Sequence, residues 1–274
     1  MVKKRLDVLL VERKLIETRE KAKRVIMAGL VLSNQNRLDK PGMKVDEDIP
    51  LTVKEKLIPY VGRGGLKLER ALEYFSVSLA NRVMMDVGSS TGGFTDCALQ
   101  NGVQYCYAID VGYNQLDWKL RKDDRVIVME RTNFRYVTPD MLKYDLPDFA
   151  SIDVSFISLK LILPVLADLL KDNSDVVALI KPQFEAGRDK VEKKGIVRKK
   201  TVHLEVLEKI AAFAEETGFH VLDVTYSPIT GGDGNIEFLA HLGWKKENMH
   251  YTDGEVDLRA VVDNAHTKLT ADKA

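Results

Sequence analysis

The sequence contains little cysteine and no long apolar run. With two cysteines in 274 residues, Cys97 and Cys106, it has neither a disulfide framework nor the ligand spacing of a metal site, so we expect no bound metal. A membrane-spanning helix needs roughly 18 uninterrupted apolar residues, and even Leu159–Leu170 is broken by Pro164 and Asp168. The N-terminus is basic but lacks the cleavage site of a signal peptide. We therefore expect a cytoplasmic protein that forms no stable association with a membrane.

Charge is balanced over the chain but not along it. There are 41 basic and 41 acidic residues in total, but up to Lys67 there are 16 Lys and Arg against 9 Asp and Glu. The remainder carries the matching negative excess. A basic module joined to an acidic one is typical of proteins that bind nucleic acid, although solvated basic helices are also common. Because one domain typically takes about 100 to 200 residues, we expect two domains.

The basic N-terminal segment has the pattern of two helices. Leu6, Leu9 and Leu10 recur at helical spacing, and Thr18 can cap a second helix with an apolar stripe and a cationic ridge. Short apolar runs after this helix predict a small β element. The stretch Arg5–Val53 resembles the S4 RNA-binding domain, which implies contacts between its basic side chains and structured RNA. The candidate RNA-binding residues are Arg5, Arg19, Lys23 and Arg24.

Apolar runs separated by helix-length intervals dominate the rest of the chain. Runs such as "RVMMDVG", "YCYAIDVG" and "VVALIKPQF" predict a parallel sheet covered on both faces, with ligands at the carboxyl ends of the strands. The segments His220–Gly231 and Ile236–Trp244, with the turn "GDGN" between them, predict a closing antiparallel hairpin. The fold class is therefore α/β, with a small N-terminal module and a Rossmann-like domain whose sheet is mostly parallel.

The stretch "MMDVGSSTGGFTD" forms a glycine-rich turn between a predicted strand and a predicted helix. Ser90 replaces the second glycine of the dinucleotide fingerprint, and Asp86 places a negative side chain near the pocket, so an uncharged or cationic ligand fits better than a pyrophosphate. Asp110 ends the next strand, where an acidic residue typically binds ribose hydroxyls. The turn resembles motif I of the S-adenosylmethionine methyltransferases. The candidate cofactor-binding residues are Asp86, Gly88, Ser89, Ser90, Gly92, Gly93, Phe94, Asp110 and Asn133.

Four charged residues resemble the catalytic tetrad of the FtsJ-type ribose 2′-O-methyltransferases. Lys67, Asp153, Lys181 and Glu237 match its Lys-Asp-Lys-Glu series in order and context. The resemblance implies that Lys181 is the base or the group that orients the hydroxyl. Asp153 would then orient its ammonium group, and Glu237 would hold the opposite side. Taken singly, each charge is more readily explained as a surface salt-bridge partner.

Two further features each have two interpretations. Asn133 follows a predicted strand where such folds place an adenine-facing residue, but a turn-forming asparagine is nearly as good an explanation. The basic run Arg188–Lys200 follows the Lys181 strand and could contact phosphates, or it could be a solvated loop.

The motifs "GRGGLKL", "DVGSSTGGFTD", "IDVSFIS" and "KPQFE", together with the S4-like segment, are similar to the TlyA family over nearly the whole chain. The resemblance implies S-adenosylmethionine-dependent 2′-O-methylation of cytidine in 16S or 23S ribosomal RNA, with ribosomal RNA or ribosomal subunits as partners. We expect an S4-like domain at 1–59, a linker at 60–66 and a methyltransferase domain at 67–274. A membrane-active hemolysin, the name often given to this family, and a non-catalytic RNA-binding protein remain alternatives, whereas the tetrad disfavours a dinucleotide oxidoreductase.

Overall fold

The protein forms two compact units, residues 1–57 and 58–274, in a computed structural model. Each unit has its own apolar core. The structure describes residues 3–16, 18–27, 29–34, 36–53, 58–232, 234–245 and 256–271, without the side chains of residues 24, 270 and 271.

The first unit combines two helices with short strands. Its elements are β1 (Lys3–Arg5), α1 (Leu6–Glu12), α2 (Arg19–Met27), β2 (Val31–Ser33), β3 (Asn36–Arg37), β4 (Lys44–Asp46) and β5 (Thr52–Val53). β1 pairs with β4, and β2 lies between β3 and β5, which confirms the predicted helix pair and small β element. Leu6, Leu9 and Leu10 are buried in the core, as predicted. Thr18 caps α2, since its Oγ1 accepts a hydrogen bond from the backbone N of Lys21 at 3.2 Å.

A seven-stranded sheet organises the second unit. Its elements are α3 (Gly64–Tyr74), β6 (Val83–Val87), α4 (Gly93–Gln100), β7 (Tyr105–Ile109), α5 (Trp118–Arg121), β8 (Val126–Met129), β9 (Phe149–Ile152), α6 (Leu163–Ala167), β10 (Ser174–Ile180), α7 (Pro182–Glu185), α8 (Lys200–Glu216), β11 (Phe219–Tyr226), β12 (Phe238–Trp244) and α9 (Leu258–Ala271). The strand order is β11-β12-β10-β9-β6-β7-β8. β6 to β10 pair in parallel, and β12 is antiparallel to both of its neighbours. The predicted α/β class with a mostly parallel sheet is confirmed.

The carboxyl ends of the central strands meet at one edge of the sheet. Val87 at the end of β6 is in register with Ile152 at the end of β9, and Ile152 is in register with Ala178 of β10. These strands are buried along their whole length, because apolar side chains from helices cover both faces. The residues that follow them, including Gly88 and Asp153, are therefore brought together at this edge.

The closing strands differ in one respect from the expected hairpin. β11 and β12 pair antiparallel, as predicted, and within the connection 227–237 the backbone N of Gly234 donates to the backbone O of Gly231 at 2.9 Å, as in a turn. The difference is that β12 lies inside the sheet, between β10 and β11. Its nearly continuous burial fits an interior strand, since both of its faces are covered.

The glycine-rich segment 60–66, expected as a linker, packs within the second unit. The backbone N of Val61 donates a hydrogen bond to Oδ2 of Asp96 at 2.8 Å, and α3 begins inside the segment. A Cβ atom on Gly93 would lie 2.9 Å from the backbone N of Gly65. The glycines therefore permit close backbone packing in this segment.

Among the described residues, no helix combines the length and apolar character needed to cross a membrane. In the same part of the chain, no cluster of three His, Cys, Asp or Glu side chains has the arrangement of a metal site.

Candidate active site

A cavity of about 400 Å³ opens at the carboxyl edge of the sheet. The loop after β6, the loop after β9, the segment after β10 and the loop before β12 contribute to its wall, together with the start of α3. Ligands in open α/β sheets bind at this edge. Its polar and aromatic side chains include Arg63, Lys67, Ser89, Phe94, Asp153, Ser155, Phe156, Lys181, Gln183, Phe184 and Glu237.

All four tetrad candidates line this cavity and contact one another. Nζ of Lys67 lies 2.7 Å from Oε2 of Glu237 and 3.7 Å from Oδ2 of Asp153. Nζ of Lys181 lies 2.5 Å from Oδ1 of Asp153 and donates a hydrogen bond to Oγ of Ser155 at 3.0 Å. The result is a continuous series of alternating charges, Glu237, Lys67, Asp153 and Lys181, in which each lysine is held between oxygen acceptors.

The glycine loop reaches the cavity through only some of the residues expected to bind a cofactor. Those that line the cavity are Gly88, Ser89, Ser90, Gly93 and Phe94. A Cβ atom on Gly88 would lie 2.5 Å from the backbone O of Asp153, so this glycine permits the loop to approach the end of β9 closely.

We expected the side chain of Asp86 to lie near the ligand pocket, but it does not point toward the cavity. It is fully buried, and its carboxyl group accepts hydrogen bonds from Oγ1 of Thr95 at 2.6 Å and Oγ of Ser151 at 2.9 Å. Burial raises the pKa of Asp86 to about 6, although these hydroxyl groups favour the ionised form. Asp86 therefore joins β6 to α4 and β9 behind the loop, because two internal hydroxyl groups satisfy its oxygens.

Gly92, expected to lie against the cofactor, instead lies against apolar side chains. A Cβ atom there would lie 2.1 Å from Cδ1 of Leu120 and 2.8 Å from Cδ1 of Leu116. Its φ of +94° also favours glycine. A branched side chain would thus collide with the apolar core instead of intruding directly on a ligand.

The two remaining cofactor candidates make local hydrogen bonds. Oδ2 of Asp110 accepts from the backbone N of Ser90 at 2.8 Å, and its Oδ1 accepts from the backbone N of Gly112 at 2.7 Å. Asp110 thereby joins the glycine loop to the end of β7. Oδ1 of Asn133 accepts from the backbone N of Arg135 at 3.2 Å, which supports the turn-forming interpretation.

Two aromatic residues in the cavity wall were missed from the sequence. Phe156 is 91% exposed and has φ of +63°, and its ring centroid lies 5.0 Å from that of Phe184. A phenylalanine with positive φ is unusual and strained. The sequence could have indicated this pair, since "IDVSFIS" and "KPQFE" each place a phenylalanine three residues after a tetrad residue.

Two polar atoms in the wall have no hydrogen-bond partner within the part of the chain that the structure describes. Oγ of Ser89 and Oε1 of Gln183 are buried, and among the described residues neither has a hydrogen-bond partner. Buried polar groups are normally satisfied, so a donor and acceptor left open in a cavity wall indicate a polar ligand.

Asp7 organises the RNA-binding candidates of the first unit. The side chain of Asp7 is buried, and its carboxylate accepts hydrogen bonds from Arg5 at 2.9 and 3.0 Å and from Arg19 at 3.0 Å. These guanidinium groups, with Arg5 contributing most, lower the pKa of Asp7 to about 2. Lys23 is part-exposed, whereas the side chain of Arg24 lies outside the described residues. Neutralising Arg19 would therefore affect folding as well as surface charge.

The basic run after β10 is partly neutralised by acidic residues. Lys190 pairs with Glu205, Arg198 lies 3.5 Å from Glu192, and Lys200 lies 2.5 Å from an acidic residue of α9. These pairs favour the solvated-loop interpretation for three of its cations.

Comparisons with known proteins match both units. The FtsJ-like methyltransferase family matches residues 60–244, and the S4 domain matches residues 4–48. The candidate rRNA methyltransferase YqxC of Bacillus subtilis is 62% identical over 273 residues, covering 99% of this chain and 97% of that protein. The 16S/23S rRNA (cytidine-2′-O)-methyltransferase TlyA of Mycobacterium tuberculosis is 37% identical over 267 residues, covering 97% of each. The structure of a candidate hemolysin from Streptococcus thermophilus is 52% identical, with a TM-score of 0.79, and covers 100% of this chain and 99% of that one.

Proposed function

The chain belongs to the FtsJ-like methyltransferase family and carries an S4 domain, and on this basis we propose that it methylates the 2′-hydroxyl of a ribose in ribosomal RNA. The observation that carries the proposal is the contact series of Glu237, Lys67, Asp153 and Lys181 in one cavity wall. The TlyA relative is named as a cytidine methyltransferase of 16S and 23S rRNA, so cytidine in either RNA is the proposed target. Such a substrate implies a cytoplasmic protein.

S-adenosylmethionine is the proposed cofactor, and when bound it supplies the methyl group. The residues present fit such a ligand. The hydroxyl of Ser89 is buried without a partner among the described residues, and it lies in the cavity wall beside Gly88 and Ser90. Asp110 accepts a hydrogen bond from Ser90 and so fixes this loop for ligand binding. The loop also lacks a complete dinucleotide fingerprint, which disfavours a pyrophosphate ligand.

The tetrad is suited to holding a hydroxyl group for methyl transfer. Lys181 is fixed by Asp153 and Ser155 while it lines the cavity, so it can orient a ribose 2′-hydroxyl and, as the neutral amine, accept the proton that the hydroxyl loses when its oxygen takes the methyl group. Lys67 lies near the other oxygen of Asp153, and Glu237 holds Lys67 in place. Fixing the reacting groups in this way can lower the activation barrier by several kcal/mol.

The aromatic pair provides a surface for the base of the target nucleotide. Enzymes that act on a nucleotide within folded RNA expose it from its stack, and aromatic side chains stabilise the released base. Phe156 and Phe184 present such rings in the same wall as the tetrad.

The basic face of the first unit, with Arg5, Arg19 and Lys23, is proposed to bind surrounding RNA.

The direct test is transfer of a labelled methyl group to RNA. Purified protein would be incubated with labelled S-adenosylmethionine and naked 16S RNA, naked 23S RNA or isolated subunits, and the methylated nucleotide would then be mapped. We expect label on a ribose 2′-oxygen of cytidine. Label on a base, or binding of RNA without transfer, would contradict the proposal.

A parallel assay addresses the hemolysin alternative. Liposomes loaded with a fluorescent dye would be mixed with wild type and with Lys181→Ala. Dye release by both proteins, together with no RNA methylation by wild type, would favour a membrane-active function instead.

A further inference from the structure

Two neighbouring loops carry much of the candidate active site. We call residues 153–158 the β9 loop, and we call residues 181–185, which consist of Lys181 and the short helix α7, the β10 loop. At the cavity, Lys181 of the β10 loop lies 2.5 Å from Oδ1 of Asp153 and donates to Oγ of Ser155, both in the β9 loop. The position of Lys181 relative to Asp153 therefore depends on how the two loops are placed against each other.

Away from the tetrad, Glu185 joins the same two loops. It is 4% exposed, and its Oε2 accepts a hydrogen bond from Oγ of Ser158 at 2.6 Å. Its Oε1 accepts a second hydrogen bond from the backbone N of Leu159 at 2.8 Å. In the sequence, Phe156 lies between Asp153 and Ser158, and Phe184 lies between Lys181 and Glu185. The two rings contact each other. Glu185 is thus a buried carboxyl group with no assigned role in methyl transfer; burial raises its pKa, whereas the hydrogen bonds from Ser158 and Leu159 favour the ionised form.

The β9 loop is fixed at both of its ends. At its start, the backbone N of Asp153 donates to the backbone O of Val87 at 2.9 Å. At its end, Glu185 receives the two hydrogen bonds from Ser158 and Leu159. Between these points Phe156 is exposed and has a positive φ, a conformation that persists only when its surroundings hold it.

We propose that Glu185 is a positioning residue, which holds the β9 loop so that Ser155 and Phe156 face the acceptor nucleotide. This inference rests on the proposed function. The carboxylate suits the task because hydrogen bonds to an ionised acceptor are stronger than neutral ones. Lys209 also holds the backbone of this residue, since its Nζ donates to the backbone O of Glu185 at 3.0 Å. Lys209 thus holds the backbone of Glu185, while both side-chain oxygens of Glu185 accept hydrogen bonds at the end of the β9 loop.

The test uses the full-length protein and substitutions on both sides of the contact. Glu185→Gln keeps the side-chain shape but replaces one of the two acceptor oxygens with an NH2 group, so either Ser158 or Leu159 faces a donor instead of an acceptor. Ser158→Ala removes one donor, and Ser158→Thr restores a hydroxyl group. Glu205→Gln is the matched control, because Glu205 is exposed on α8 and pairs with Lys190. For each variant, kcat and KM for ribosomal RNA, cofactor affinity and the urea unfolding midpoint would be measured.

We expect Glu185→Gln to lower kcat about ten- to a hundredfold, because small displacements of reacting groups are costly. Cofactor affinity should stay within about twofold of wild type. Ser158→Thr should retain more activity than Ser158→Ala. The double variant with Ser158→Ala should lose little more than Glu185→Gln alone, as expected for residues that act through one contact.

Wild-type kcat in a folded Glu185→Gln protein would overturn the inference. Equal losses of cofactor affinity and kcat would also overturn it, since they indicate a general structural role. Failure of the wild type to methylate any RNA would overturn the proposed function instead. The double-variant unfolding midpoints would then still test the contact, because additive effects of Glu185→Gln and Ser158→Ala contradict it.

Discussion

Nζ of Lys67 lies 2.7 Å from Oε2 of Glu237, although the two residues are 170 positions apart in the sequence. Both side chains are buried, and Lys67 also lies 3.7 Å from Oδ2 of Asp153. A buried ion pair contributes little net stability, because removing both charges from water offsets much of their attraction. This pair is therefore better explained by a site that needs fixed charges than by a requirement of the fold.

Glu237→Gln should weaken both folding and methyl transfer. Among the described residues, the substitution leaves the buried ammonium of Lys67 with Asp153 as its charged partner, so we expect a loss of about 1–3 kcal/mol in the free energy of unfolding. Urea unfolding and RNA methylation would be measured for this variant and for Glu216→Gln, an exposed glutamate on α8. Equal stability of the two variants would contradict the role of the pair.

Lys181→Ala should abolish methyl transfer while leaving cofactor binding nearly intact. The proposed work of this amino group is on the acceptor hydroxyl. Calorimetric titration with S-adenosylmethionine and single-turnover methylation would separate the two effects. Lys171→Ala is the control, since Lys171 pairs with Asp145 on the surface. Full activity of Lys181→Ala would exclude this lysine from the mechanism.

Ser89→Ala should weaken cofactor binding with little effect on folding. Its buried hydroxyl has no partner among the described residues, and a hydrogen bond to a ligand contributes about 0.5–1.5 kcal/mol. Gly92→Val provides the contrast, since its side chain would collide with Leu120 and lower the unfolding midpoint. Calorimetry and thermal unfolding distinguish the two. Unchanged affinity in Ser89→Ala would place the ligand away from this hydroxyl.

Asp7→Asn should remove a pH-dependent part of the stability of the first unit. The folded-state pKa of Asp7 is lowered to about 2, so its contribution is present above the ordinary value of 3.8. It is lost as pH falls through about 2, where the carboxylate becomes protonated. Urea midpoints of wild type and variant should therefore differ at pH 5 and converge toward pH 2. A constant difference would show that ionisation of Asp7 is not responsible.

Phe156→Ala should impair RNA methylation without loss of stability. The residue is 91% exposed and its ring contacts that of Phe184, so truncation removes little buried surface. Stacking on a base contributes about 1–3 kcal/mol, which predicts a rise in KM for RNA or a fall in kcat. Steady-state kinetics and cofactor titration would be compared with Tyr74→Ala, an exposed aromatic residue on α3. Wild-type kinetics would remove the ring from substrate recognition.

Local sequence patterns were sufficient to predict the fold class and the edge of the sheet at which the candidate site lies. The apolar runs ending at Val87, Ile152 and Ile180 predicted buried parallel strands, because continuous burial requires cover on both faces. Strand ends in such sheets meet at one edge, so the charged residues that follow them could be grouped before any contact was known. All four tetrad residues were identified by resemblance, and for Lys67 and Glu237 no local pattern relates positions so far apart.

Only the tertiary structure decided which way the individual side chains face. The turn pattern around Asp86 is the same whether its carboxylate faces the cavity or two buried hydroxyl groups, and packing selected the second. The contact of Glu185 with Ser158, and that of Asp7 with Arg19, likewise depend on how separate elements pack. Periodicity specifies one element at a time, whereas the burial and hydrogen bonding of a polar group depend on its neighbours in space.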